Sequence, residues 1–173
     1  MCRSDAGISS GRIVEVEAYA DASDLASHAA RLKRGGVEAM WGSAGIAYVY
    51  RAYGIHTMFN VVAREPSGTG AVLIRAVEPL LGIDLMRSRR AGVATERIGS
   101  GPGNVCQALG IALADHGTDL TTSKRIWIEP GNPPATIVAG VRIGISRSIE
   151  LPWRFFDAGS RHVSAHRRGT ILS

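Results

Sequence analysis

Residues 11–19, Gly-Arg-Ile-Val-Glu-Val-Glu-Ala-Tyr, set the strongest limit on what this chain can fold into. Their β-branched content marks a strand. Side chains of a strand alternate between faces, so Val14, Val16 and Ala18 share an apolar side while Ile13, Glu15, Glu17 and Tyr19 share the other. That second side carries two carboxylates about 7 Å apart, at roughly 3.3 Å per residue, with a phenol beside the second. Carboxylates on such a strand are costly to bury unless they are paired, hydrogen-bonded or used in chemistry. Two readings are open here: a solvated polar face, or a general base held next to an aromatic ring.

The chain of 173 residues is most simply one domain, long enough to bury about two thirds of its unfolded surface without disulfides or metals. No run of about 18 apolar residues occurs, and the start, Met-Cys-Arg-Ser-Asp-Ala, lacks the pattern of a secretory signal, so a cytoplasmic location is expected and no membrane partner. Cys2 and Cys106 are too few for a disulfide framework and are expected to be reduced; no Cys/His spacing suggests zinc. The net charge of +5 favours anionic partners such as nucleic acid. Nearly all the positive charge is Arg, Lys33 and Lys124 being the only lysines. Arg suits bidentate phosphate contact, and a biased genome gives the same count.

Residues 21–30 read as a short helix or ordered turn that carries His28, and 31–45 as a basic, glycine-broken loop. Then come strand 46–50, a corner at 51–56, and a returning strand 57–63. Tyr48 and Tyr50 share a face, while Tyr53 sits beside Gly54 at the tip, as a surface anchor or as a contact for a partner. After a turn at 66–70, residues 71–77 form an apolar run expected to be a central strand buried on both faces. Arg75 interrupts it and must meet a carboxylate, a carbonyl or a ligand phosphate; Glu15 and Glu78 are the nearest structural partners. Residues 80–90 have helical spacing and end in Arg87, Arg89 and Arg90. The glycine-rich Gly99–Gly103 leads into a helix at 104–109, whose exposed N–H groups suit a phosphate. Strands are expected at 126–129 and 138–145, and Pro152–Phe156 as the seal of a core edge. The economical architecture is one mixed α+β domain.

Several separated motifs coincide with one family. Arg-Ile-Val-Glu-Val-Glu-Ala-Tyr (12–19), Ala-Ser-His (26–28), Tyr-Val-Tyr-Arg-Ala-Tyr-Gly (48–54), Asn60, Val-Leu-Ile-Arg-Ala-Val-Glu-Pro (72–79), Ser-Gly-Pro-Gly (100–103) and Cys-Gln-Ala-Leu (106–109) together resemble the alkyladenine (3-methyladenine) DNA glycosylases, from about residue 11 to about 165. The resemblance implies an α+β fold over residues 1–173, a single domain with a curved antiparallel sheet flanked by helices. It implies excision of alkylated or deaminated purines from double-stranded DNA by cutting the N-glycosidic bond, by a monomer without cofactor or metal, cytoplasmic and, in a bacterium, at the nucleoid.

Carried over residue by residue, the resemblance makes Glu17 the base that activates water. Arg75 and the backbone carbonyl of Ile143 hold that water. Tyr19, His28 and Tyr50 enclose the extruded base, Asn60 disfavours the amino group of guanine, and Tyr53 wedges into the duplex. Arg51, Ser100, Gly101 and Gly103 are the candidate phosphate contacts. No Lys falls in a matched motif, so water rather than an amine is the expected nucleophile, without strand cleavage.

Two departures stand out. The family carries a helix and a strand before the first motif, whereas only ten residues precede Gly11, so the start reads as shortened. Lys-Arg-Gly-Gly-Val at 33–37 replaces the family's Thr-Pro-Arg-Asn loop. The competing readings are a non-catalytic lesion binder and a metal hydrolase built on Glu15, Glu17 and His28, whose spacing matches no ligand signature.

Overall fold

The strand expected at 11–19 is the greater part of a longer one. The computed structural model describes residues 1–31, 37–64, 68–164 and 169–172. Strand β1 (Cys2–Ser4) turns back into β2 (Gly7–Tyr19), so the first residues add a strand to the sheet. After α1 (His28–Arg31) and a 3-10 turn (Val37–Trp41) come β3 (Ala47–Ala52), β4 (His56–Ala63) and β5 (Gly70–Leu81). Helices α2 (Ile83–Arg89), α3 (Thr95–Ile98) and α4 (Pro102–Leu109) follow, then a 3-10 turn at Leu113–Asp115, β6 (Ile137–Gly140), β7 (Arg154–Asp157) and β8 (Thr170–Leu172). The strands form one antiparallel sheet in the order β3-β4-β5-β2-β7-β6-β8, with β1 also paired to β2. This is the expected α+β class. The departure at 33–36 and the turn residues Pro66 and Ser67 lie outside the described residues.

Alternation gives the middle of the sheet two different faces. Val16, Ala47, Val49, Phe59 and Ile74 pack with Met86, Ile98, Val105, Cys106 and Leu109 of the helices. Each large apolar side chain buried there contributes about 1.5–3 kcal/mol. The alternate residues Tyr48, Tyr50, Asn60, Leu73 and Arg75 line a cleft on the other face. The middle of the sheet therefore has the helix-covered core on one side and, on the other, the cleft beside a smaller apolar cluster of Val37, Met40, Tyr48, Val62 and Ala71.

The β2–β5 ladder slips three times, once between Ser10 and Gly11 and twice at the residues that matter most. Ile13 faces Val77 and Glu15 faces Ala76, leaving Val14 as an extra residue; Val16 then faces Ile74, leaving Arg75 as one. Val14 and Val16 therefore do not share a core. Val14 packs with Ala76, Val138, Phe156 and Val163, whereas Val16 packs under the helices. Skipped in the ladder, the Arg75 carbonyl is taken by the Gly101 N–H at 2.9 Å.

Four sequence expectations are corrected. The helix expected at 80–90 starts at Ile83, because β5 runs on to Leu81 and Gly82 makes the break at φ 68°. A Cβ at Gly82 would lie 2.3 Å from the Ile8 carbonyl oxygen, so only glycine fits there. Residues 126–129 form no strand; the chain start meets them through a single bridge, Cys2 to Ile126, and a few hydrogen bonds. The strand expected at 138–145 spans Ile137–Gly140, after which Arg142 turns inward and leaves the ladder. Pro152–Phe156 is no edge seal: Arg154–Asp157 pairs with β2 in the interior of the sheet. Cys2 and Cys106, expected to be reduced, are free, and both are buried. No helix among the described residues is long and apolar enough to cross a membrane.

Candidate active site

Glu17 and Tyr19 sit at the end of β2, two residues apart and hence on one face. The Glu17 side chain is fully buried. Its Oε1 accepts the Ile143 N–H at 2.7 Å, and its Oε2 accepts the Tyr19 hydroxyl at 2.8 Å. Arg75 Nη1 stands 3.2 Å from the same Oε2. Those three neighbours line a cleft of about 960 Å³, so the carboxylate lies just beneath its floor.

Arg75 has a second anchor. Its Nε donates to Glu15 Oε1 at 3.2 Å, and Glu15 also accepts from Arg154 Nε at 2.6 Å and from the Ser164 N–H and hydroxyl at 2.7 and 2.8 Å. Burial pushes the Glu15 carboxyl up, but the hydrogen bonds from Arg154 and Ser164 and the charge of Arg75 outweigh it and hold the group below its usual value. Two buried carboxylates thus face two buried guanidinium groups, and Arg75 bridges them. Glu78, the other partner considered for Arg75, pairs with Arg12 instead.

All four tyrosines of the chain line the cleft. The His28 ring lies 4.5 Å from that of Tyr50, and its Nδ1 is 2.7 Å from the Tyr48 hydroxyl. Asn60 Nδ2 donates to the Tyr48 carbonyl at 3.1 Å. Burial, then the charge of Glu17, pushes the Tyr50 phenol up to about 12 and raises Tyr19 further, so both keep their protons near neutral pH. On the rim the β3–β4 hairpin exposes 85% of Tyr53. Both tip residues have positive φ, 51° at Tyr53 and 73° at Gly54. A strained, exposed aromatic at a tip is a feature of contact rather than of packing.

The cleft therefore gathers Tyr19, His28, Tyr50, Tyr53, Asn60, Arg75 and Ile143, with Arg51 exposed on its rim. The glycine-rich residues behave otherwise. Ser100 bridges to Ala76, and Gly101 bonds Arg75, so this segment runs along β5; only Pro102 of it reaches the cleft. A Cβ at Gly99 would lie 2.7 Å from the Val77 carbonyl oxygen, which accounts for a glycine there by close packing. The arginines ending α2 are also engaged: Arg89 donates to the Ala108 carbonyl and Arg87 to Asp84. Glu15, Glu17 and His28 do not converge as metal ligands, and no group of three His, Cys, Asp or Glu side chains able to hold a metal occurs among the described residues.

Sequence reasoning missed several contributors. Tyr48 supplies the hydroxyl that meets His28, Arg154 holds Glu15, and His116 lines the cleft with its Nδ1 accepting the Val49 N–H at 3.2 Å. Asp24 and Arg142 form a buried pair behind Tyr19. Arg142 and Arg154 each interrupt an apolar stretch, the same signal that singled out Arg75.

The profile of the methylpurine-DNA glycosylase family matches residues 1–161. A protein of Chlorobaculum parvum, provisionally named 3-methyladenine DNA glycosylase, is 46% identical over 171 residues, covering 97% of this chain and 81% of that protein. One of Nitrosospira multiformis with the same provisional name is 49% identical over 156 residues, 89% of this chain and 79% of its own. Another, of Methanoculleus marisnigri, is 46% identical over 158 residues, 89% of this chain and 82% of its own. These matches place the chain in a class of hydrolases, the DNA glycosylases of base repair. Within that class it belongs to the methylpurine-DNA glycosylase family.

Proposed function

We propose that the protein removes alkylated or deaminated purines from double-stranded DNA, of the 3-methyladenine, 7-methylguanine, hypoxanthine and ethenoadenine kinds, by hydrolysing the N-glycosidic bond. One observation supports this above the others: a fully buried carboxylate, Glu17, under a tyrosine-walled cleft that opens beside the Tyr53 tip. A group beneath a cleft floor cannot reach a bond inside a duplex. The nucleotide has to swing out, at a cost of a few kcal/mol. Tyr53 fills the gap it leaves. Tyr19, His28 and Tyr50 enclose the purine, stacking being worth about 1–3 kcal/mol per base. The Asn60 amide disfavours guanine by setting a donor against its exocyclic amino group.

In the reaction, water adds to the sugar C1′ as the C1′–N bond breaks. The electron pair of that bond leaves with the purine, neutralising a cationic alkylated base, whereas a neutral base takes a proton from solvent on a ring nitrogen; the proton of the attacking water passes to Glu17. Arg75 and the Ile143 carbonyl hold the water. The carboxylate also stabilises the positive charge of the oxocarbenium-like transition state. Base catalysis of this kind contributes roughly 10²–10⁴-fold. Among the described residues no lysine lines the cleft, Lys124 lying away from it, which supports water over an amine as nucleophile. The enzyme then leaves an abasic site in an uncut strand, and works as a cofactor-free monomer in the cytoplasm. Arg51 and the start of α4 meet the phosphates.

Duplexes carrying single lesions, assayed for free base with and without chelator and borohydride, test this reading. Expected are released purine, an uncut abasic strand, no effect of the chelator and no trapped adduct. Tight binding without release supports the lesion binder instead, and a borohydride adduct overturns the water mechanism.

A further inference from the structure

Arg142 turns its side chain wholly out of solvent and touches several parts of the site at once. Nη1 and Nη2 donate to Oδ2 and Oδ1 of Asp24 at 2.6 and 2.9 Å, a two-pronged pair with neither side chain exposed. Nη1 also donates to the Ala18 carbonyl at 2.9 Å, between Glu17 and Tyr19. Nη2 reaches the Ser148 carbonyl at 3.3 Å, at the far end of the segment that follows β6. The guanidinium carbon stands 4.7 Å from the Tyr19 ring centroid and 5.2 Å from that of Trp153. Asp24 in turn accepts the N–H groups of Ala20 and Ala26, which shapes the turn that delivers His28.

The next residue is Ile143, whose N–H holds Glu17 Oε1 at 2.7 Å. A planar peptide joins the two residues, so anchoring Arg142 restricts where that N–H points. A buried ion pair is weak evidence for stability, because well-packed apolar residues in its place are often no worse. What apolar residues cannot supply is this set of directional contacts on Ala18, Ser148 and the Tyr19 ring.

We infer that Arg142, locked by Asp24, is a positioning residue for base excision. It fixes together the Ile143 N–H that orients the Glu17 carboxylate, the plane of the Tyr19 ring and the turn leading to His28. The inference rests on Glu17 acting as the base, as proposed above. Displacing a reacting group by about 1 Å costs on the order of 100-fold in rate.

The test uses two variants, Asp24→Leu/Arg142→Met, which removes both charges, and Arg142→Lys, which keeps the charge and loses the fork. Single-turnover release of 1,N6-ethenoadenine at saturating protein is compared with melting temperature and with affinity for undamaged duplex. Expected per folded molecule is a rate about 10–100-fold below the parent. Affinity for undamaged duplex, set by phosphate contacts, stays within about threefold. A rate that recovers along with folding in the double variant overturns the inference, and so does a loss that only follows the folded fraction. Glu17→Gln is measured beside them. If it keeps the parent rate, the reading of Glu17 fails and this inference with it; if it is inactive while both Arg142 variants match the parent, this inference alone fails.

Discussion

Arg154→Met is expected to destabilise the protein by an amount that depends on pH. Arg154 is 1% exposed, and its Nε donates to Glu15 Oε1 at 2.6 Å. Methionine keeps much of the stem beside Phe156, over which the guanidinium carbon lies at 4.6 Å, and removes the charge. Glu15 would then keep Arg75 at 3.2 Å and the two Ser164 donors. Removing one partner of a buried pair costs about 3–5 kcal/mol. At about 2–4 °C per kcal/mol for a chain of this size, the melting temperature at pH 7.5 should fall by about 6–20 °C. In the parent, burial raises the Glu15 carboxyl, and the hydrogen bond from Arg154 heads the causes that bring it below 4.5. Without that hydrogen bond the folded-state value rises. The variant's native state then takes up a proton at a higher pH than the parent's, so its deficit narrows on acidification. Thermal unfolding of both proteins followed by circular dichroism at pH 7.5 and about pH 3.5, the second below the ordinary carboxylate value of 4.5, reads both effects. A fall of less than about 2 °C at pH 7.5, or a deficit equal at the two pH values, would refute the reasoning.

Tyr53→Gly should raise the melting temperature by up to about 4 °C, since glycine tolerates the φ of 51°, while base release from duplex falls at least about tenfold; melting and release measured on one preparation check both halves. Cys2 and Cys106 are buried, and desolvation raises both thiols, Cys106 to about 12, so a colorimetric disulfide reagent at pH 8 should label them slowly in the native protein and fast in urea. Asp24 and Glu15 both titrate below their ordinary 3.8 and 4.5 despite burial, through Arg142 for the first and Arg154 for the second. The native state therefore binds fewer protons than the unfolded chain in that range. Their contribution is complete above about pH 4.5 and lost as the pH falls through the folded values, so urea midpoints should stay level from pH 7 to 5 and drop below it.

Where one period dominated, the sequence was readable. The alternation at 46–50 put Tyr48 and Tyr50 on one face, and both line the cleft; the Glu17–Tyr19 pair did emerge on one face beside Arg75, whereas the unbroken apolar run at 71–77 did not show that Leu73 and Arg75 face the cleft. Pairing-dependent features were not readable. The extra residues at Val14 and Arg75 exist only in the register of β2 against β5, and they split Val14 from Val16. Leu80 and Leu81 fit a helical period as well as a strand end, and Gly82 decided between them through its contact with Ile8. The apolar run at 138–145 looks like one strand because nothing local shows that Arg142 has its carboxylate 118 positions away, at Asp24. Motif resemblance supplied roles for the cleft residues but none for Arg142, Arg154 or Tyr48, which lie behind them or between them.

Glu17 as the base that activates water is tested most directly by single-turnover release of 1,N6-ethenoadenine from a duplex, parent against Glu17→Gln. The carboxamide keeps the shape of the side chain beneath the cleft floor and cannot take the proton. The expected result is a loss of roughly 10²–10⁴-fold in rate, with affinity for the lesion duplex retained. Release by Glu17→Gln within a factor of about three of the parent would contradict it.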